Sequence, residues 1–158
     1  MPLEENFTWV SLVVGILVPI VYFATVLSQL GQTPVEEIAY QRPLLIAIGA
    51  SIALIIAGSI ATAIGTAVVR AIGAEMSGNG SAEDSLEGFD RSDERDASIS
   101  RRGDLIGFYA SSVVLVGVLA ITMLEYDYFW IANGLYLAFV ISTVVAGIVK
   151  VLAYRRGF

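Results

Sequence analysis

Four stretches of the chain, at about residues 7–30, 44–72, 105–124 and 129–152, are apolar over a length that reaches across a bilayer. A hydrocarbon core about 30 Å thick takes roughly 20 helical residues to cross. Within these limits the only ionised side chains are Arg70 and Lys150, each a few residues from the end of its stretch. Lipid offers the backbone no hydrogen-bond partner, so each stretch must bond internally as a helix. The 158 residues are 56% hydrophobic and 15% charged, with a mean hydropathy of +0.76, too oily for a soluble domain. The expected fold is all-α: one integral membrane domain, a four-helix transmembrane bundle of up-down topology, with a polar segment at residues 73–104 between helices two and three. The first stretch does not read as a cleaved signal peptide. Glu4 and Glu5 stand where a basic region is needed, the apolar run is too long, and no small-residue cleavage site follows it.

Lysine and arginine set the expected orientation. One side of the membrane receives Arg70, Arg91, Arg95, Arg101, Arg102, Lys150, Arg155 and Arg156, and the other only Arg42. This places both termini in the cytoplasm of a multi-pass protein of the cell membrane. Tyr126, Tyr128, Phe129 and Trp130 then suit one membrane interface, and Trp9 and Tyr154 the other.

The connections differ in kind. Thr33-Pro34-Val35-Glu36 reads as a capping box with proline at the first helical position, which predicts a short external helix before span two. Pro43 breaks or kinks the chain where that helix meets the membrane. Residues 125–128 allow only a tight turn, so spans three and four form an antiparallel hairpin. Residues 76–90 are rich in Gly, Ser, Asp and Glu without a basic residue, and read as a mobile linker. Ser92 then caps a helix carrying acids in its first turns and Arg101 and Arg102 later, an order that complements the helix dipole. Gly103 costs about 1 kcal/mol in a helix without ending it, so span three can project from the membrane as one continuous rod.

Two ridges of small residues mark the spans. Gly49, Ala53, Ala57, Ala61 and Gly65 recur every four residues on span two, widened by Gly58, Thr62 and Thr66. Span four carries Gly134, Ala138, Ser142 and Ala146. Small residues let helices approach closely in lipid, where the hydrophobic effect no longer drives association. The ridges are expected to meet each other within one chain; a homodimer seam is the alternative. Ser51, Ser59, Thr62, Ser111, Ser112, Ser142 and Thr143 supply hydroxyls at mid-span, but no charge lies near the midplane, as a proton- or ion-coupled transporter would need. Lys150 is the only lysine. It lies too near Arg155 and Arg156 for a retinal Schiff base and reads as a side chain reaching back to the interface.

Several classes are excluded or disfavoured. Without Cys or His there are no disulfides, thiol nucleophiles, zinc fingers or usual haem ligands, and no cofactor is expected. A net charge of -6 argues against nucleic acid. No catalytic motif is present, and an enzyme is not expected. The acid excess, together with eight Arg and one Lys, suits a prokaryotic source and invites a halophilic reading.

Two functions remain. The first is a non-enzymatic adaptor or regulatory subunit. It would hold a cytoplasmic protein partner through the acidic segment, with Asp93, Glu94, Arg95 and Asp96 as candidate contacts. Residues 73–104 carry nine acids against four arginines, and such segments commonly order on binding. The second is a small oligomeric channel or carrier for a neutral or weakly polar solute, suggested by the hydroxyls and by ridges that could join subunits.

The second half, from Asp93-Glu94-Arg95-Asp96 through Gly103-Asp104, Tyr109 and Phe129-Trp130-Ile131-Ala132-Asn133 to Lys150 and Tyr154-Arg155-Arg156-Gly157-Phe158, resembles small multi-span membrane proteins of bacteria and archaea that have no established activity. The resemblance covers residues from about 93 onward. It implies a membrane architecture and a partner role, and no catalytic residues.

Overall fold

The computed structural model describes residues 3–77 and 82–156, with side chains described at 5–69, 72 and 94–155. The described residues form four helices and no strand: α1 (Leu3–Leu27), α2 (Gln41–Ser77), α3 (Ala82–Met123) and α4 (Tyr128–Arg156). Each contains a segment long and apolar enough to cross a membrane: Glu5–Leu27, Gln41–Val69, Glu94–Met123 and Tyr128–Arg155. The chain is a multi-pass membrane protein built as a four-helix bundle.

The substantial contacts run α2–α1, α1–α4 and α4–α3, so the helices are ordered α2–α1–α4–α3 and α4 is gripped from both sides. The α3–α4 hairpin closes through a tight turn, as its length requires. The Tyr126 amide donates to the Ile121 carbonyl at 3.1 Å and the Glu125 amide to Thr122 at 3.2 Å. Glu125 adopts φ 57°, the left-handed position that ends a helix in this motif and that glycine usually occupies.

The core lies at the loop end of the bundle. Tyr22, Val26, Ile38, Ala47, Phe129 and Tyr136 are buried together there. Tyr22 meets Tyr136 edge-on at 5.2 Å, and Phe129 meets Tyr40 and Trp130 at 5.3 and 5.1 Å. Aromatic pairs favour such edge-to-face geometry because the ring edge is positive and its face negative. Ile38 comes from the α1–α2 connection, so that loop folds inward over the bundle. Phe129, expected at the interface, is instead 2% exposed and belongs to this core, while Tyr126 and Tyr128 remain exposed.

Three local expectations are corrected. The external helix shrinks to a single 3-10 turn, Val35–Glu37. Pro34 has ψ 145°, an extended conformation, no side chain caps the turn, and Ile38 leaves it in extended geometry as it enters the core. Pro43 falls in the first turn of α2, where its missing amide would have no helical partner in any case, so it neither breaks nor kinks a preceding helix. The expected linker is helical wherever it is described: α2 runs to Ser77, α3 begins at Ala82, and residues 78–81 lie outside the described residues. Ser92 is therefore inside α3 and not at its start. The reason is legible in hindsight, because Ala82, Glu83 and Asp84 open the helix with acids where the dipole favours them, and Leu86 and Glu87 are good helix formers.

Candidate functional site

The distinctive feature of the molecule is α3, an unbroken helix of 42 residues and about 63 Å. Its apolar part begins at Leu105. The 23 residues from Ala82 to Asp104 extend roughly 34 Å beyond it. Asp93, Glu94, Arg95 and Asp96 all lie on this extension. Glu94 and Arg95 are exposed and Asp96 is half-buried, while the Asp93 side chain lies outside the described residues.

The root of the extension is clamped to α4 by backbone proximity. A Cβ on Gly107 would stand 2.5 Å from the Ser142 carbonyl oxygen and 3.0 Å from the Ala146 Cβ. A Cβ on Gly103 would stand 2.5 Å from the Lys150 Cγ and 3.0 Å from the Ala146 carbonyl oxygen. Only glycine leaves room for this approach. The four-residue spacing Gly103, Gly107, Ser111 is the sequence signal for this approach, hidden because a glycine at 103 also looks like a simple helix defect. The Lys150 stem lies across Gly103, and its ammonium donates to the Asp104 carboxylate at 2.7 Å. Lys150 therefore pairs within the hairpin.

The ridge on α4 is packed. Ala138 and Ala146 are buried, Gly134 and Ser142 are half-buried, and a Cβ on Gly134 would stand 2.7 Å from Val118. Its partner is α3, not α2. The ridge on α2 faces outward: Gly49, Ala53, Ala57, Ala61 and Gly65 are all exposed, and nothing lies within 4 Å of a Cβ built on Gly49 or Gly65. The face of α2 that meets α1 is the neighbouring one, through Ala47, Ser51, Gly58, Thr62 and Thr66, with Gly58 set against Val10. The expectation that the two ridges meet is thus corrected. Both small faces could accept a helix, and α3, tied to α4 by a four-residue turn, occupies that of α4 first.

The α1–α4 seam holds the buried polar groups. The Tyr22 hydroxyl donates to the Asn133 Oδ1 at 2.8 Å, and the Asn133 Nδ2 donates to the Phe129 carbonyl at 2.8 Å. Among the described residues the buried Tyr136 hydroxyl makes no hydrogen bond of good geometry, although the Ser51 hydroxyl lies near enough to interact with it. Tyr136 lines a cavity of about 270 Å³ that Gly15, Ser51 and Thr143 also line. Most mid-span hydroxyls donate to their own helix: Ser51 to Ala47, Thr62 to Gly58, Ser111 and Ser112 to Phe108, and Thr143 to Phe139. At the end bearing the termini, the Arg155 guanidinium lies 5.5 Å from the centre of the Trp9 ring, tying α1 to α4.

No family model, no curated protein and no solved structure matches the chain.

Proposed function

We propose that the protein is a non-enzymatic membrane adaptor that presents a rigid acidic helix to a basic protein partner in the cytoplasm. The observation that carries this reading is the continuity of α3 from Ala82 to Met123, which makes the acidic segment and the third span one body. A rigid arm loses less freedom on binding than a mobile linker, so more of its contact energy appears as affinity. The orientation rests on the eight-to-one distribution of Lys and Arg, which puts both termini and the extension of α3 in the cytoplasm. Glu94 and Asp96 with Asp93 supply the acidic character, and Arg95 is the neighbouring cation.

Affinity capture from native membranes tests the reading with two variants of the full chain. Asp93→Asn with Glu94→Gln and Asp96→Asn removes the charge. Ala97→Pro breaks the arm while leaving the apolar spans intact. Both should lose the same captured protein. An unchanged set of captured proteins would contradict the adaptor reading.

A second reading, a small oligomeric carrier for a neutral or weakly polar solute, draws support from the cavity beside Tyr136, which α1, α2 and α4 line together. Against it stand the packed rings of Tyr22, Phe23 and Tyr136, which fill the α1–α4 seam beside it. Solute flux in proteoliposomes above that of empty vesicles would favour the carrier.

A further inference from the structure

At the end bearing the termini, α1 and α3 flank α4 without packing on one another to any extent, which leaves a slot between them with α4 as its floor. The slot holds a cavity of about 320 Å³, walled by Phe7 and Ser11 on α1 and by Asp104 on α3, with Ser142, Gly147 and Lys150 along the floor. This size is at the low end of ligand sites, which run from roughly 300 to 1,000 Å³, so it suits a headgroup and not a whole lipid. Its chemistry is paired. Lys150 is 19% exposed and spends one of its three donors on Asp104, while the Ser11 and Ser142 hydroxyls make no hydrogen bond among the described residues. Asp104 is 63% exposed; one oxygen takes the Lys150 ammonium and the other accepts from the Ser100 hydroxyl at 3.4 Å, and each keeps a further lone pair for a ligand.

Depth identifies the source of the ligand. The 21-residue step from Phe129 to Lys150 is about 32 Å, the thickness of a hydrocarbon core. With the exposed Tyr126 and Tyr128 at one interface, Lys150 and Asp104 lie level with the phosphates of the other. One turn beyond Asp104 on the same face of α3 is Phe108, 63% exposed, and further along is Leu115, 41% exposed, an apolar surface suited to acyl chains.

We propose that this slot is a lipid site selective for a zwitterionic phosphoethanolamine headgroup. The phosphate accepts hydrogen bonds from Lys150 and Ser11, and the primary ammonium donates to Asp104. A cation and an anion side by side match a zwitterion better than a purely anionic head, which Asp104 repels. A trimethylated ammonium has no N–H to donate, so phosphatidylcholine loses the Asp104 bond. The site is independent of the adaptor reading and involves none of the residues at 93–96.

Native mass spectrometry of the full chain in detergent tests the proposal, with phosphatidylethanolamine, phosphatidylcholine, phosphatidylglycerol and soluble phosphoethanolamine titrated separately. Phosphatidylethanolamine should bind about tenfold more tightly than phosphatidylcholine, the size of one charge-assisted hydrogen bond. Asp104→Asn, an exposed change whose fold is checked by circular dichroism, should remove that preference, leave phosphatidylcholine unchanged and strengthen phosphatidylglycerol. Lys150→Gln should weaken all three lipids. Equal affinity of the unaltered chain for phosphatidylethanolamine and phosphatidylcholine would overturn the proposal, as would an equal loss for both in Asp104→Asn. Soluble phosphoethanolamine binding as tightly as the lipid would overturn the assignment to a membrane lipid.

Discussion

Gly107 of α3 faces the carbonyl of Ser142 on α4 so closely that a Cβ at position 107 would stand 2.5 Å from the oxygen. The obstacle is backbone, which cannot turn aside as a flexible side chain can. Gly107→Ala should therefore destabilise the hairpin by about 1–3 kcal/mol, the usual cost of overpacking. Gly117→Ala, on the same helix with nothing within 4 Å of the added carbon, should be neutral or stabilising by up to about 1 kcal/mol from helix propensity. Thermal unfolding in detergent compares them. Equal melting temperatures would show that the close approach at Gly107 contributes nothing.

Two buried tyrosines in contact should respond unequally to the same change. Tyr22→Phe leaves the buried Asn133 Oδ1 without its donor and should cost about 1–3 kcal/mol. Tyr136→Phe removes a buried hydroxyl that makes no well-formed hydrogen bond among the described residues, and should cost less than Tyr22→Phe. Unfolding in detergent reads both, and a larger loss for Tyr136→Phe would mean that its hydroxyl is satisfied in the membrane.

The outward ridge of α2 yields a third contrast. Ala57 is exposed beside a shallow hollow that Val10 and Val13 also line, so Ala57→Leu should leave stability unchanged. A Cβ at the adjacent Gly58 would stand 2.5 Å from the Val10 Cγ1, so Gly58→Leu should cost about 1–3 kcal/mol. The same unfolding measurement decides, and a reversed order would place the opposite face of α2 against α1.

The spans and the tight hairpin were legible because lipid enforces them: apolar length and backbone satisfaction leave one solution. Which faces meet was not. Gly, Ala, Ser and Thr cover more than one face of α2 and α4, and no hydrophobic drive between helices ranks those faces. Chain connectivity decides instead. The turn at residues 124–127 presents Gly103 and Gly107 to Ser142 and Ala146, while the ridge from Gly49 to Gly65 stays exposed, with none of the described residues packed against Gly49 or Gly65. The same holds for the Tyr22–Asn133 bond, whose partners are 111 residues apart with no local pattern to join them. The candidate segment at 93–96 was found by its charge. Its helical continuity is hidden because acids between residues 82 and 90 resemble the composition of a disordered linker, whereas at a helix start they are stabilising.

The central claim is that this acidic segment and the third span are one rigid body. The chain has no cysteine, so spin labels at Glu94→Cys and Val116→Cys, both exposed on α3, meet no background. Double electron–electron resonance in nanodiscs should give a single narrow distance near the ~33 Å that 22 helical residues span. A broad distribution reaching well below that value would mean that the segment hinges at the membrane surface, and would contradict the account.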